Sequence, residues 1–241
     1  MQFQIHDVDW TEEKVSRFWD SFNALPHLSY FAEQAGREVI RICKNYIDLN
    51  DKILDYGSGK GFLIGYLLES GAKSVAGCDF SGDSVTYVNK LFAGNSSYAG
   101  ATHITSLPAD LPSASFQSVF FMETIEHLID KHYEPTLMEI SRLVKKGGHL
   151  IITTRNAENL NNLKVICPDC GAMFHRVQHV RSFSKESITE AMQKHGFEVV
   201  SVSAKDLGRK GIVGAAVQAY RTVKGDLNKN PNLIYVGKKI S

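Results

Sequence analysis

A glycine-rich turn is the strongest chemical signal in the sequence. Residues 55–61 read D-Y-G-S-G-K-G, follow a short apolar run and open a segment with helical patterning. Glycines accept positive φ angles and let a ligand approach the backbone, and the start of a helix leaves N–H groups free to donate. Asp79, twenty residues after Gly59, ends the next apolar run, where an acidic side chain can hold two ribose hydroxyls. The turn and this carboxylate together predict a site for a nucleoside-containing ligand.

The spacing around the turn excludes two common nucleotide-binding motifs. A P-loop requires Ser or Thr directly after its Lys, but Gly61 follows Lys60. A dinucleotide fingerprint, G-x-G-x-x-G, requires glycine at position 62, which is Phe62. The pattern that remains is D-x-G-x-G-x-G.

An acidic-histidine segment follows a buried-strand pattern at 119–122. If residues 123–128 form a helix, Glu123, Glu126 and His127 lie at positions i, i+3 and i+4 and share one helix face. Two carboxylates and an imidazole suit a divalent ion such as Mg²⁺, Mn²⁺, Fe²⁺ or Zn²⁺. The segment therefore predicts a metal site at the carboxyl end of a strand, where open α/β sheets bind ligands.

A C-x-x-C pair marks a second candidate metal site. Cys167 and Cys170 belong to a knuckle-like C-P-D-C-G turn, and His175 and His179 follow it. Cys₂His₂ would make a closed tetrahedral zinc site. The alternatives are a reduced thiol pair in a surface turn or a redox-sensitive pair, because the sequence holds no second C-x-x-C.

Strand and helix patterns alternate over most of the chain, which indicates βαβ units and a parallel sheet. Apolar runs predict seven strands, at 52–55, 74–78, 98–104, 119–122, 149–154, 199–200 and 233–236. Helical spacing predicts helices at 61–69, from 81 onward, at 135–144 and at 184–194. Residues 1–50 read as helices rich in large apolar side chains. Two further segments, at about 155–181 and 207–231, resemble insertions, and the second includes a predicted helix at 212–223.

The composition is that of a globular domain. The 241 residues are 43% hydrophobic and 22% charged, with a formal net charge of +1, which excludes a disordered chain and gives no support to nucleic-acid binding. No apolar stretch approaches the roughly 18 residues of a membrane span, and no secretory signal is visible. We therefore expect a cytoplasmic protein whose cysteines are reduced.

Four segments in series resemble the class I S-adenosylmethionine (SAM)-dependent methyltransferases. They are I-L-D-Y-G-S-G-K-G at 53–61, V-A-G-C-D-F-S at 75–81, L-P at 111–112 before S-F-Q-S-V at 115–119, and L-V-K-K-G-G-H-L at 143–150. The resemblance covers roughly residues 50–200. It implies an α/β fold, a Rossmann-like, seven-stranded, mostly parallel sheet flanked by helices. Residues 1–50 would form an N-terminal helical cap, and 51–241 the methyltransferase domain with the two insertions.

The resemblance also assigns cofactor contacts. It implies that Asp55, Gly57 and Gly59 line the methionine part of SAM and that Asp79 holds its ribose. Phe80 and Glu123 are expected as further cofactor contacts. The family often binds adenine with an acidic residue near the third strand, but residues 102–106 read T-H-I-T-S.

The E-x-x-E-H segment is similar to one in ubiquinone-pathway O-methyltransferases and in small-RNA 3′-end 2′-O-methyltransferases. Metal-dependent members hold a divalent cation there, and the RNA enzymes add a His four residues before an aromatic residue, a spacing that His179 has here. The resemblance implies a metal site of Glu123, Glu126, His127 and His179. In members without metal, the Glu holds a helix terminus and the His lines the pocket.

These expectations combine into SAM-dependent methylation of a hydroxyl on a small molecule, assisted by a divalent metal. In the absence of a metal, His127 or His179 would serve as the general base. C- and N-methylation stay open. Two other hypotheses are an RNA-end 2′-O-methyltransferase, which needs a basic groove, and a non-catalytic SAM-fold binding protein, against which the intact turn argues.

Overall fold

A computed structural model of the chain describes residues 3–23, 25, 29–208, 216–217, 219–220, 223–224 and 230–240. Most of the helix predicted at 212–223 and most of the insertion predicted at 207–231 lie outside the described residues.

Strands and helices alternate through the described part of the chain. The strands are β1 (His6–Asp7), β2 (Lys52–Tyr56), β3 (Ser74–Asp79), β4 (Tyr98–His103), β5 (Phe116–Met122), β6 (Val144–Arg155), β7 (Lys164–Ile166), β8 (Ala172–His175), β9 (Phe197–Lys205) and β10 (Asn232–Lys239). The helices are α1 (Glu12–Asn23), α2 (Phe31–Cys43), α3 (Phe62–Glu69), α4 (Gly82–Phe92), α5 (Asp130–Leu143) and α6 (Lys185–Lys194).

A seven-stranded sheet has the order β4-β3-β2-β5-β6-β10-β9. The five strands from β4 to β6 are mutually parallel, whereas β10 runs antiparallel to both β6 and β9. The strand order reverses between β2 and β5, and ligands bind outside the carboxyl ends of the strands at such a reversal. The predicted fold class, a Rossmann-like and mostly parallel α/β sheet flanked by helices, is confirmed.

The sheet is buried on both faces because helices cover each side. One apolar cluster joins the sheet to α5 and α6, through residues such as Leu137 and Ile188. The other joins it to α2 and α3, through residues such as Val39 and Leu63. The near-continuous apolar character of β5 follows from this double burial.

Local signals position several elements. The Ser81 side chain accepts a hydrogen bond from the Ser84 N–H at 3.2 Å and caps α4, as the sequence predicts. Ser184 and Ser187 form a capping box that starts α6. Helix α5 begins at Asp130, five residues before the predicted start at Pro135, so this proline lies inside the helix.

A small second sheet lies beside the main one. Its order is β1-β8-β7, so the N-terminal strand pairs with a hairpin from the segment predicted as an insertion at 155–181. None of the helices in the described ranges has both the length and the hydrophobicity that a membrane crossing requires.

Candidate active site

The glycine-rich turn connects β2 to α3 at the carboxyl edge of the sheet. Gly57, Gly59 and Gly61 have φ angles of +81°, +49° and +75°, which glycine adopts without strain. A Cβ on Gly57 would lie 2.8 Å from the Thr124 hydroxyl oxygen, so this glycine is needed for packing. A Cβ on Gly59 would meet only a ring carbon of Tyr30, at 3.9 Å. The turn is therefore tightly packed at Gly57 and open at Gly59.

Asp79 ends β3 beside the open part of the turn. Its two carboxylate oxygens accept hydrogen bonds from the Gly59 and Ser81 backbone N–H groups, each at 2.8 Å. Burial raises the pKa of this carboxyl, against the opposing effect of those hydrogen bonds. Phe80 follows it with a side chain that is 41% exposed. An oriented carboxylate and an uncovered aromatic ring thus stand next to the open glycine.

Asp55 lies beneath the turn and is only 3% exposed. Burial, aided by the nearby Asp79 carboxylate, raises the pKa of Asp55 to about 8. Burial therefore favours the protonated form of this carboxyl, which lies two residues before Gly57.

The acidic-histidine segment does not form the helix considered from its spacing. Its only helical part is a 3₁₀ turn, Ile125–His127, and Glu123 precedes it with a φ of +43°. The Glu123 N–H donates to the Thr153 carbonyl of β6 at 2.9 Å, which continues the sheet past the end of β5. Sheet pairing thus overrides the helical spacing of residues 123–127.

The structure nevertheless brings three of the four predicted metal ligands together. Possible ligand atoms of Glu126, His127 and His179 all lie within 4.8 Å of one another. Glu126 is 1% exposed, and neither of its carboxylate oxygens makes a hydrogen bond of good geometry, although the Thr154 hydroxyl and the Glu123 carboxyl interact with it. Burial, followed by the charge of Glu123, raises the pKa of Glu126 well above its usual value. Glu123 is not part of the close group, although one of its oxygens is also buried without a partner.

Both imidazoles of this group are oriented through Nδ1. The His127 Nδ1 lies 3.3 Å from the Gln178 carbonyl oxygen, and the His179 Nδ1 contacts the Glu158 carboxylate. Oxygens at these positions favour protonation of Nδ1, which leaves the lone pair on Nε2 available for a ligand. Burial, with the neighbouring His179, lowers the pKa of His127 to about 3, so its ring stays neutral.

Glu158, His175 and His179 form a second close group that shares His179 with the first. The His175 Nδ1 accepts the His179 backbone N–H at 3.2 Å. A neutral His175 therefore carries its proton on Nε2, 3.7 Å from Glu158, and cannot also offer that nitrogen to a metal. The group of Glu126, His127 and His179 is the better fit to a cation.

The cysteines of the alternative zinc site lie apart from these groups. His175 is packed between Glu158 and His179, with a ring centroid 4.5 Å from that of His179. Within the described ranges, neither Cys167 nor Cys170 joins it in a group of three possible ligands. The Cys167, Cys170 and His175 set considered from spacing is thus not assembled.

Aromatic side chains of the N-terminal region cover the cluster. The Trp19 ring meets His127 edge-on with centroids 4.8 Å apart, and its Nε1 donates to the Gln178 side chain at 3.0 Å. Phe22 contacts both Trp19 and Tyr30, with centroids 5.2 and 6.1 Å apart. Burial raises the pKa of Tyr30 to about 12, with a contribution from Asp79. These rings form a continuous wall from the histidine cluster to the glycine-rich turn.

Sequence reasoning missed two residues of this site. Glu158 lies three residues beyond the carboxyl end of β6, the edge where sheet ligands gather, and that position was the one available signal. Gln178 is fully buried with a φ of +59°, and no local pattern predicts its contacts with His127 and Trp19.

A family model described as a methyltransferase domain matches residues 12–202. The chain belongs to the class I SAM-dependent methyltransferase superfamily. No curated protein sequence matches this methyltransferase.

Solved structures of the same fold support the assignment. A SAM-dependent methyltransferase from Methanosarcina mazei superposes with a TM-score of 0.60 at 16% identity, over 83% of this chain and 97% of that chain. The 1,6-didemethyltoxoflavin-N1-methyltransferase of Burkholderia thailandensis, solved with 1,6-didemethyltoxoflavin and S-adenosylhomocysteine, gives 0.63 at 16% identity over 95% and 86%. Phosphoethanolamine N-methyltransferase 2 of Haemonchus contortus, solved with SAM, gives 0.62 at 14% identity over 96% and 58%. At such identities the likeness extends to the fold and not to the acceptor.

Proposed function

We propose that this methyltransferase methylates a hydroxyl group of a small molecule, assisted by a divalent cation at Glu126, His127 and His179. The observation that carries the proposal is the Glu126 carboxylate, which is 1% exposed and makes no hydrogen bond of good geometry. An uncompensated buried carboxylate is costly, and a bound cation would remove that cost. The two adjacent imidazoles, each oriented through Nδ1, complete a donor set suited to Fe²⁺, Mn²⁺ or Zn²⁺.

The SAM site in this proposal is the open side of the glycine-rich turn. Bound there, SAM would supply a methyl group already activated by its sulfonium. Asp79 would hold the ribose hydroxyls, because its carboxylate is fixed by two backbone N–H groups beside the turn. Gly59 leaves room for close approach, and the exposed ring of Phe80 offers an apolar surface to the nucleoside. The protein contributes mainly by positioning the reactants, worth about 7–11 kcal/mol in favourable cases.

A hydroxyl acceptor gives the buried polar groups around Glu126 a chemical role. A neutral amine can attack an activated methyl group directly, whereas a hydroxyl must lose its proton as it attacks. A cation at the cluster would supply Lewis acidity that lowers the pKa of the acceptor. The residues of this chain hold that position, since Glu158 fixes the His179 ring and Gln178 fixes His127.

Residues 1–50 are proposed to act as a cap over the acceptor. Trp19 of α1 packs against His127, and Tyr30 packs near Gly59, so this region contacts both the metal cluster and the turn. The aromatic wall excludes water from the space between them, which strengthens charge interactions there. A small acceptor fits this arrangement better than a nucleic acid, because the formal net charge of the chain is only +1.

Metal titration of the chelator-treated protein tests the proposal. Calorimetry with Mn²⁺, which prefers carboxylate to thiolate ligands, should show binding in the wild type and at least about a tenfold loss in Glu126→Gln. Glu190→Gln, a change at an exposed glutamate of α6, is the matched control and should bind like the wild type. SAM affinity should be equal in all three proteins.

Acceptor chemistry is tested separately, by detecting S-adenosylhomocysteine release with paired hydroxyl and amine compounds of the same skeleton. The proposal is supported if only the hydroxyl compound is methylated, and if this activity is lost with chelator and restored by the cation. Equal metal binding by wild type and Glu126→Gln, or full turnover in excess chelator, would contradict it.

A further inference from the structure

The C-x-x-C turn is a compact knuckle at the end of the β7–β8 hairpin. The Cys167 N–H donates to the Ala172 carbonyl at 2.8 Å, and the Gly171 N–H donates to the Cys167 carbonyl at 2.9 Å. Gly171 has a φ of +81°, and a Cβ there would lie 2.3 Å from the Gln4 carbonyl oxygen. The turn is therefore locked between its own hairpin and the segment that leads into β1.

The knuckle prepares its sulfur atoms to act as ligands. Hydrogen bonds from the Cys170 and Asp169 backbone N–H groups, and from the Cys170 thiol, lower the pKa of the Cys167 thiol. Both cysteines are reduced and only partly buried. The thiolate is the form that binds zinc, and donors aimed at the sulfur stabilise it.

Two sulfur atoms fill only half of a tetrahedral zinc shell. In the described part of the chain, no His, Cys, Asp or Glu joins the pair in a group of three ligands. His6 lies beside the knuckle, with its Nδ1 2.8 Å from the Gln4 carbonyl oxygen, but it does not belong to such a group. His175 is held in the cluster around Glu158. Within the described ranges of one chain, two positions of the zinc shell are therefore left unfilled.

The surface of the small sheet around the knuckle is unusually apolar. Four large apolar side chains of β7 and of the segment before β1 are between 41% and 60% exposed, namely Phe3, Ile5, Val165 and Ile166. Ile5 directly adjoins the knuckle, since its backbone nitrogen lies 3.1 Å from the Cβ position of Gly171. Consecutive strand residues point to opposite faces, so Val165 and Ile166 expose apolar surface on both faces of the small sheet, and a protein partner can cover such surface.

We propose that the knuckle is one half of a zinc site that a second copy of this chain completes. Cys167 and Cys170 of each copy would hold one Zn²⁺ on a two-fold axis, and the apolar surfaces of the two small sheets would pack together around it. A second copy is the occupant because it brings both missing soft ligands and a matching apolar surface. Each thiol releases its proton on binding, and no redox step is involved. This site is independent of the proposed cation site at Glu126.

The test combines metal content with molecular mass on the whole protein under reducing conditions. Zinc-loaded wild type should run as a dimer in light-scattering chromatography and become a monomer after chelation. Cobalt replacement separates this site from the histidine cluster, because only thiolate ligands give intense sulfur-to-cobalt charge-transfer absorption. We expect that absorption at one cobalt per two chains.

Variants of the knuckle complete the test. Cys167→Ser and Cys170→Ser should each lose the absorption and the dimer, while Asp169→Ser, in the same turn, should keep both. SAM affinity should not change in any of them and confirms that they are folded. The proposal is overturned by a wild type that stays monomeric with zinc, by a thiolate-bound cobalt ion in a monomer, or by a dimer that survives both cysteine substitutions.

Discussion

Replacement of Gly59 by alanine separates the stability of the turn from its capacity to bind SAM. The backbone N–H that donates to Asp79 is retained in Gly59→Ala. The new methyl group would meet only the Tyr30 ring, at 3.9 Å, so the folded protein has room for it. If SAM lies against this open side of the turn, the methyl group occupies space that the cofactor needs.

The two costs have different sizes and different origins. A left-handed backbone costs an alanine about 1–2 kcal/mol, and at the Gly59 φ of +49° this is the whole expected loss of folding stability. Overpacking a close contact costs about 1–3 kcal/mol, so SAM affinity should fall by about 5- to 150-fold.

Urea unfolding and SAM calorimetry on the same samples measure both costs. Gly71→Ala is the matched control, because Gly71 has a φ of +90° and no atom lies within 4 Å of its Cβ position. The control should lose similar stability and bind SAM like the wild type. Wild-type SAM affinity in Gly59→Ala, with the expected loss of stability, would refute the placement of the cofactor at the turn.

Three further substitutions test the site and its support. Asp55 has a pKa of about 8 in the folded protein, above the ordinary 3.8. The folded state therefore binds more protons than the unfolded state between about pH 4 and 8, and the free energy of unfolding of the wild type falls as pH rises there, by at most about 1.4 kcal/mol per pH unit. Asp55→Asn should show a flatter dependence of that free energy on pH in urea unfolding. Arg142→Met leaves the buried Glu139 carboxylate unpaired and should cost about 3–5 kcal/mol in the same assay. Glu158→Gln should weaken cation binding about 10- to 100-fold through His179, measured by calorimetry.

For each of these three substitutions, one measured result would contradict the expected effect. A pH profile of Asp55→Asn that parallels the wild type would show that another group dominates. Arg41→Met breaks a pair with an exposed arginine and should cost at most about 1 kcal/mol, so an equal loss in both arginine variants would contradict the buried-charge argument. Wild-type cation affinity in Glu158→Gln would remove its assigned role in positioning His179.

The sheet and the glycine-rich turn were predictable because their signals are local. The apolar runs and the D-x-G-x-G-x-G spacing are each visible within a few consecutive residues. The helix caps are equally local, because Ser81 and Ser184 each accept a hydrogen bond from the residue three positions later. Burial on both faces explains why β5 is a continuous apolar run rather than an alternating one. Strand ends were less predictable, and β5 and β9 both extend beyond their apolar centres.

The arrangement around the histidines was not predictable from such signals. The i, i+3, i+4 spacing suggested a helix, but pairing of Glu123 with Thr153 holds that residue in an extension of the sheet. The contact between Trp19 and Gln178 joins residues 159 positions apart. Contacts of that separation depend on how residues 1–50 and the β7–β8 hairpin pack, which no local propensity encodes.

A crystal structure with S-adenosylhomocysteine would locate the cofactor site. We expect the ribose on the Asp79 carboxylate and the amino-acid portion along residues 57–61, with the sulfur directed toward the aromatic wall over His127. A ligand bound elsewhere, or a turn whose open side is closed by neighbouring side chains in the complex, would show that the glycine-rich turn is not the SAM site.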